Sequence, residues 1–146
     1  DTQVAELMIR TPGVDVNRLD QKGYTGPYYL SMQKDYKEGD TQSSTKILDI
    51  LISHGFNVNL RKNATTPSLL EVFVKAMKVR YNIIEYLLKN KADPYIQFSK
   101  KPTVYLIDEV MNMRDQQLKK IFEPYKRQPW KLIRQLIVFT LMNRYI

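Results

Sequence analysis

No cysteine occurs among the 146 residues, which excludes disulfides and thiolate metal sites and suits a reducing cytosol. There is a single histidine, His54. One imidazole builds no metal centre by itself, and no nucleophile or orienting group stands at a spacing that would make it a general base. Glycine is scarce, and Gly23, Gly26 and Gly39 are too scattered to cradle a phosphate. The apolar run from Leu136 to Met142, broken by Thr140, is far shorter than the ~20 residues a membrane-spanning helix needs. Asp108 and Glu109 are adjacent, so on a helix they diverge and form no facing carboxylate pair. The expectation is a protein without catalytic machinery, metal or cofactor, and without membrane insertion. Asp1 rather than methionine stands first, and no charged-then-apolar leader follows. A piece of a longer array is expected.

What is present is ordinary globular chemistry, 43% hydrophobic and 26% charged, in one domain's length of chain. The net charge of +8 is uneven. Residues 1–60 carry six basic against eight acidic side chains, whereas residues 114–146 carry eight against two. Such a gradient favours an acidic partner surface. Nucleic acid is the less favoured partner, because no stacking platform or groove-reading motif accompanies the charge.

The organising stretch runs from Ile47 to Pro67. Ile47, Ile50 and Leu51 fall at i, i+3 and i+4, the apolar stripe of a helix. Gly55 suits the left-handed residue that ends a helix. Asn57 and Asn59 flank Val58 in a polar reversal, Arg61, Lys62 and Asn63 form a charged tip, and Thr66-Pro67 suits the start of the next helix. Two other places repeat this arrangement. Gly13-Val14-Asp15-Val16-Asn17 precedes Gly23-Tyr24-Thr25, and Lys91-Ala92-Asp93-Pro94-Tyr95 precedes Thr103. Asp15 to Asn57 is 42 positions and Asn57 to Asp93 is 36.

Gly55-Phe56-Asn57-Val58-Asn59 followed by Thr66-Pro67 resembles the ankyrin repeat, whose period is about 33 residues. The resemblance covers roughly the first 110 residues. It implies an all-α ankyrin-repeat solenoid of helix pairs with hairpin loops. About three divergent repeats, the first truncated, would occupy residues 1–113, and a C-terminal capping helix region residues 114–146. No copy keeps the family's Thr-Pro-Leu-His, and Lys91 stands where the third glycine belongs. Eroded repeats of this style are similar to those of viral or intracellular-bacterial host-interaction proteins, which implies a cytoplasmic setting, including the host-cell cytosol.

Between the copies, Thr2 to Arg10 is expected to be a short helix whose face Val4, Leu7 and Met8 needs a neighbour. Pro27 to Gln33 should be an inner helix, and Lys34 to Thr45 an exposed, mobile loop. Leu69, Val72, Phe73, Ala76 and Met77 predict one long inner stripe. Helices are further expected over Ile83 to Asn90, Val104 to Met113 and Gln116 to Tyr125, the last carrying Leu118, Ile121 and Phe122.

The family binds other proteins through hairpin tips and inner-helix faces. By position this implies Asp20, Gln21, Lys22 and Tyr24, then Met32 and Gln33, then Arg61, Lys62, Asn63 and Thr65, then Ser99, Lys100 and Lys101. The asparagine after valine is sometimes hydroxylated in this family, which singles out Asn17 and Asn59. The bland alternative for both is hydrogen bonding inside the hairpin.

A second resemblance lies near the end. Pro129-Trp130 with Leu132, Ile133, Leu136 and Ile137 resembles the opening of an F-box, with Gln128 and Lys131 departing from its pattern. It implies recruitment of a cullin ubiquitin ligase through its adaptor. The alternative is a capping helix over Trp130 to Ile146, with Trp130, Ile133, Leu136 and Ile137 covering Leu118, Ile121 and Phe122.

Overall fold

Three loops of one design set the frame of the molecule. The computed structural model describes residues 2–33, 37, 40–127 and 137–143. In the three loops Gly13, Gly55 and Lys91 adopt left-handed φ of 85°, 89° and 70°. Two residues on, Asp15, Asn57 and Asp93 each accept, through a side-chain oxygen, the N–H two positions later, at 2.9, 3.0 and 2.8 Å. Each short polar side chain thus folds its own turn.

Asparagine then ties each loop to the next. Asn17 donates through Nδ2 to the Gly55 carbonyl at 2.9 Å and accepts from Asn57 N–H at 2.8 Å. Asn59 repeats the pair on the Lys91 carbonyl and Asp93 N–H, at 2.9 and 2.8 Å. One amide side chain satisfies a backbone acceptor and a backbone donor of the neighbouring loop. The third loop carries Tyr95 in the corresponding place.

The chain is mostly helical, with one small sheet among the described residues. Its helices are α1 (Thr2–Arg10), α2 (Asp40–Ser53), α3 (Leu69–Val74), α4 (Tyr81–Lys89), α5 (Leu106–Asn112) and α6 (Gln116–Phe122). Short 3₁₀ segments span Gly26–Met32 and Glu123–Tyr125. Helix α1 packs on α2, α2 on α4 and α4 on α6, while Gly26–Met32 packs on α3. The core lies between these rows. Leu48 of α2, Phe73 of α3, Ile83, Ile84 and Leu87 of α4, Leu106 and Val110 of α5, and Phe122 of α6 are wholly buried.

Several boundaries differ from the sequence expectation. Helix α2 begins at Asp40, so the second half of the expected loop is helical, and Ser44 is buried there. The other positions of that loop, apart from Lys37, lie outside the described residues. The inward line of α2 runs through Ser44 and Leu48, while Ile47, Ile50 and Leu51 are only half-buried. A buried serine breaks the apolar periodicity, and the stripe reads one residue off.

Helix α3 is capped by Ser68, whose hydroxyl accepts from Glu71 N–H at 3.2 Å. Thr66 instead donates to Asn63 Oδ1 at 3.0 Å. The helix stops at Val74, where its run of aromatic and β-branched residues has little helix propensity. Ala76 and Met77 fall beyond it, and Met77 is wholly exposed. Residues expected to begin the next helix pair instead as β2 (Lys101–Tyr105) against β1 (Gln97–Phe98), antiparallel.

The chain's last described helix, over residues 137–143, is exposed at every position. Ile137 is 54% exposed, so its expected burial against Leu118, Ile121 and Phe122 is not found. Leu118 and Phe122 are buried all the same, on a helix that packs against α4 and α5. Trp130, Leu132, Ile133 and Leu136 lie outside the described residues.

Candidate interaction surface

At the first tip, Asp20 closes the turn. Its carboxylate accepts from Lys22 N–H and Tyr24 N–H, both at 2.9 Å, and from the Tyr29 hydroxyl. The Tyr29 hydroxyl, then the backbone N–H groups, hold its pKa below the ordinary carboxylate value. Tyr29 is correspondingly raised by the same hydrogen bond. Gln21 and Lys22 project from this turn, exposed. Tyr24 turns back and stacks on Tyr28, with ring centroids 3.9 Å apart and planes 3° off parallel. Tyr28 meets Tyr29 edge-on at 5.3 Å.

The second tip is built on Asn63, whose Oδ1 accepts from Thr65 N–H and the Thr65 hydroxyl at 3.0 and 2.7 Å. Arg61 points inward rather than out. It donates to the Ala64 and Gln97 carbonyls at 3.3 and 3.0 Å and so joins the second tip to the third. Lys62 lies along Gly23: a Cβ added to that glycine would sit 2.8 Å from Lys62 Cδ. The first two tips therefore touch: a side chain at position 23 would push Lys62 aside, and the φ of 84° favours glycine there.

The third tip hangs on a buried acid. Glu71 is 3% exposed. One of its oxygens accepts from Ser99 N–H at 2.8 Å, and the other accepts the Ser99 hydroxyl. Lys75 sits 4.8 Å above the Phe98 ring and pairs with Glu109 at 3.3 Å. Lys100 and Lys101 remain exposed at the tip. Of the thirteen expected partner-binding residues, Asp20, Arg61, Asn63, Thr65 and Ser99 thus have side chains engaged in shaping the tips. Gln21, Lys22, Lys62, Lys100 and Lys101 face solvent, and Tyr24 is half-buried in its stack.

Met32 and Gln33 have a different setting. With Tyr28, Val72, Ala76 and Met77 they line a groove of about 640 Å³ between the Gly26–Met32 segment and the end of α3. At its floor Arg80, 6% exposed, donates to the Leu30 and Gln33 carbonyls at 2.5 and 2.9 Å. The guanidinium satisfies carbonyls at the end of the 3₁₀ segment and fixes it to the start of α4.

No family model, curated protein or solved structure matches this chain.

A second depression, of about 650 Å³, lies between α4 and α6, lined by Tyr81, Asn82, Glu85, Gln116, Gln117, Lys120 and Ile121. It is the more polar of the two. Beside it Tyr81 donates to Asp115 at 2.7 Å, and Asp115 caps α6 by accepting from Leu118 N–H at 3.0 Å. That backbone bond, then the Tyr81 hydroxyl, lowers the Asp115 pKa.

No group of three or more His, Asp or Glu side chains converges to hold a metal ion among the described residues. Among them, too, no helix is long and apolar enough to cross a membrane. His54 spends its Nδ1 on the Ile50 carbonyl, 2.8 Å away, and the Ser53 hydroxyl, 3.1 Å away. Asn17 and Asn59 use both ends of their amides between successive loops rather than inside one hairpin.

Sequence reasoning missed Glu71, Arg80 and the groove wall of Val72, Ala76 and Met77. For Glu71 a signal existed in Ser68-Leu69-Leu70-Glu71, which has capping-box spacing and marks a helix start two residues after Thr66. Arg80 carried no such signal. Its partners are carbonyls about fifty positions earlier.

Proposed function

We propose that this chain is a divergent ankyrin-type repeat stack that binds another protein and catalyses no reaction. The partner meets the exposed hairpin tips and the inner groove, and presents an acidic surface. The observation that carries the reading is the asparagine ladder: the same side chain, at the same place in successive loops, bonds the same two backbone groups of the next loop. A chain that stacks like units by nearest-neighbour contacts has this property, and such stacks present long composite surfaces rather than enclosed catalytic sites. Lys22, Lys62, Lys100 and Lys101 on the tips supply charge for an acidic partner. Affinity capture from cell extract, with the four lysines reversed to glutamate as control, tests it. A protein retained by the native chain and lost by the reversed one is the expected result. Capture of nucleic acid, or of the same proteins by both chains, would overturn it.

A second reading is favoured by the exposed helix over residues 137–143. Phe139 and Met142 are 64% and 63% exposed, and Ile137, Val138 and Leu141 are exposed beside them. An apolar surface of this kind on a soluble chain marks an interaction site, and an adaptor of a cullin ubiquitin ligase fits the F-box-like stretch before it. Pull-down with the ligase adaptor, lost on Phe139→Asp without loss of helicity, is the expected outcome under this reading. Absence of adaptor binding to the native chain removes it.

A further inference from the structure

We infer that the groove between Gly26–Met32 and the end of α3 takes an acidic peptide segment bearing an apolar anchor. The anchor enters between Met32 and Met77, and its flanking carboxylates reach the lysines of the first two tips. This deepens the protein-binding reading above and rests on it.

The groove has the volume of a site that encloses a few side chains. Its walls are Val72, Ala76 and the two methionines, and the methionines are the exposed ones: Met32 at 56%, Met77 fully. Two long, unbranched, polarisable side chains with little packing of their own can close over apolar anchors of differing shape. Helix α3 leaves this space because it stops at Val74, so Ala76 and Met77 form a shelf instead of a further turn.

Charge complementarity names the rest of the occupant. Tyr28, in the groove wall, stacks on Tyr24, and Tyr24 follows Gly23, on which Lys62 lies. A continuous strip therefore leads from the apolar cleft to Lys62 and Lys22. Lys78 lines the cleft itself. Asp20, the carboxylate at the same tip, is occupied by the Tyr29 hydroxyl and two backbone N–H groups. A single nucleic-acid strand fits less well, because bases need open ring faces. Tyr24 and Tyr28 each cover one face of the other, and the cleft beyond them offers methionine, Val72 and Ala76 rather than further rings.

The test uses the full chain and a short fluorescein-labelled peptide with a leucine–phenylalanine core between runs of glutamate. Controls replace the glutamates with lysine, or the core with serine. Anisotropy should report binding in the micromolar range that weakens as salt rises. Met32→Glu and Met77→Glu alter exposed side chains, and circular dichroism checks that both variants fold. Each should weaken binding about tenfold or more, as should Lys62→Glu. Both control peptides should fail. Several results would overturn the inference: no binding below about 1 mM, equal binding of a control peptide, or undiminished binding by both methionine variants. Displacement of the peptide by oligothymidylate would assign the cleft to nucleic acid instead. If the reversed tip lysines abolish partner capture while the methionine variants retain it, the groove inference falls and the protein-binding reading stands.

Discussion

The first helical segments of the chain and the central ones are held by different forces. Helix α1 contains no buried residue, and the Gly26–Met32 segment only Pro27. Helices α3 and α4 bury five and four. Yet the loops attached to both regions carry the same turn bonds and the same asparagine bridge. Regular loop geometry therefore does not need a deep core beneath it. The polar ladder fixes register and spacing, while apolar burial between α2 and α6 supplies the stability. Hydrogen bonds exchange with water at small net gain, so the ladder specifies more than it stabilises. Val4, Leu7 and Met8 of α1 stay exposed because α1 meets α2 with its other side, where Ala5 and Ile9 are half-buried.

The largest effect that sharpens this contrast is truncation of a buried aromatic. Phe73→Ala or Phe122→Ala should cost about 3–5 kcal/mol in urea unfolding, the usual loss for a buried large side chain. Leu7→Ala, at a position 70% exposed, should stay within about 0.5 kcal/mol. Comparable losses at both places would erase the difference between the two regions.

Next is the buried acid. Glu71→Ala leaves Ser99 N–H and its hydroxyl without their acceptor, and should cost about 1–3 kcal/mol. Faster amide exchange at Ser99 should accompany that loss. An unchanged Ser99 amide would mean that Glu71 does not hold the tip.

A smaller, pH-dependent effect belongs to Asp115. Its folded pKa lies below the ordinary 3.8, so its contribution is present above that value and fades as pH falls through the folded pKa. Asp115→Asn should flatten the acid limb of the stability–pH curve below about pH 4. An acid limb identical to that of the native chain would contradict this.

The smallest effect concerns the left-handed residues. Lys91→Gly should stabilise by up to about 1 kcal/mol, since a lysine at φ 70° carries strain that glycine lacks. Gly55→Ala should destabilise by about 1 kcal/mol or more. Thermal or urea midpoints moving the other way would remove the steric account of these loops.

The parts of this molecule visible in the sequence are those governed by local chemistry. Gly55 with Asn57 and Asn59, repeated at Gly13, Asp15 and Asn17, marks the loops because left-handed φ and short polar side chains are local requirements. The third loop remained legible through Asp93 although lysine stands at position 91, where the other two loops have glycine. Helix ends were less legible. Ser44 is buried in α2 because Leu48 carries the line inward, and a serine gives no apolar signal. Met77 completes an apolar stripe in the sequence, yet α3 ends three residues before it. The groove was half legible for the same reason. Met32 and Gln33 stand at expected positions, but their facing wall exists only because α3 is short. Arg80 was hidden, and for Glu71 the local spacing marked a helix start but not its partner Ser99, since each acts on a segment distant in sequence.

Native-state hydrogen exchange on the wild type and Asn59→Ala bears most directly on the division of labour between the asparagine ladder and the core. Asn59 holds the third loop to the second, above the best-buried helices. Its loss should release protection around the bonds it makes, at residues 55–59 and 91–95, with residues 69–88 keeping most of theirs because burial supplies the stability. Uniform loss along the whole chain would reveal one indivisible cooperative unit. Unchanged exchange would show that the ladder links nothing. Either result would contradict a ladder that specifies the joints between loops while the core supplies the stability.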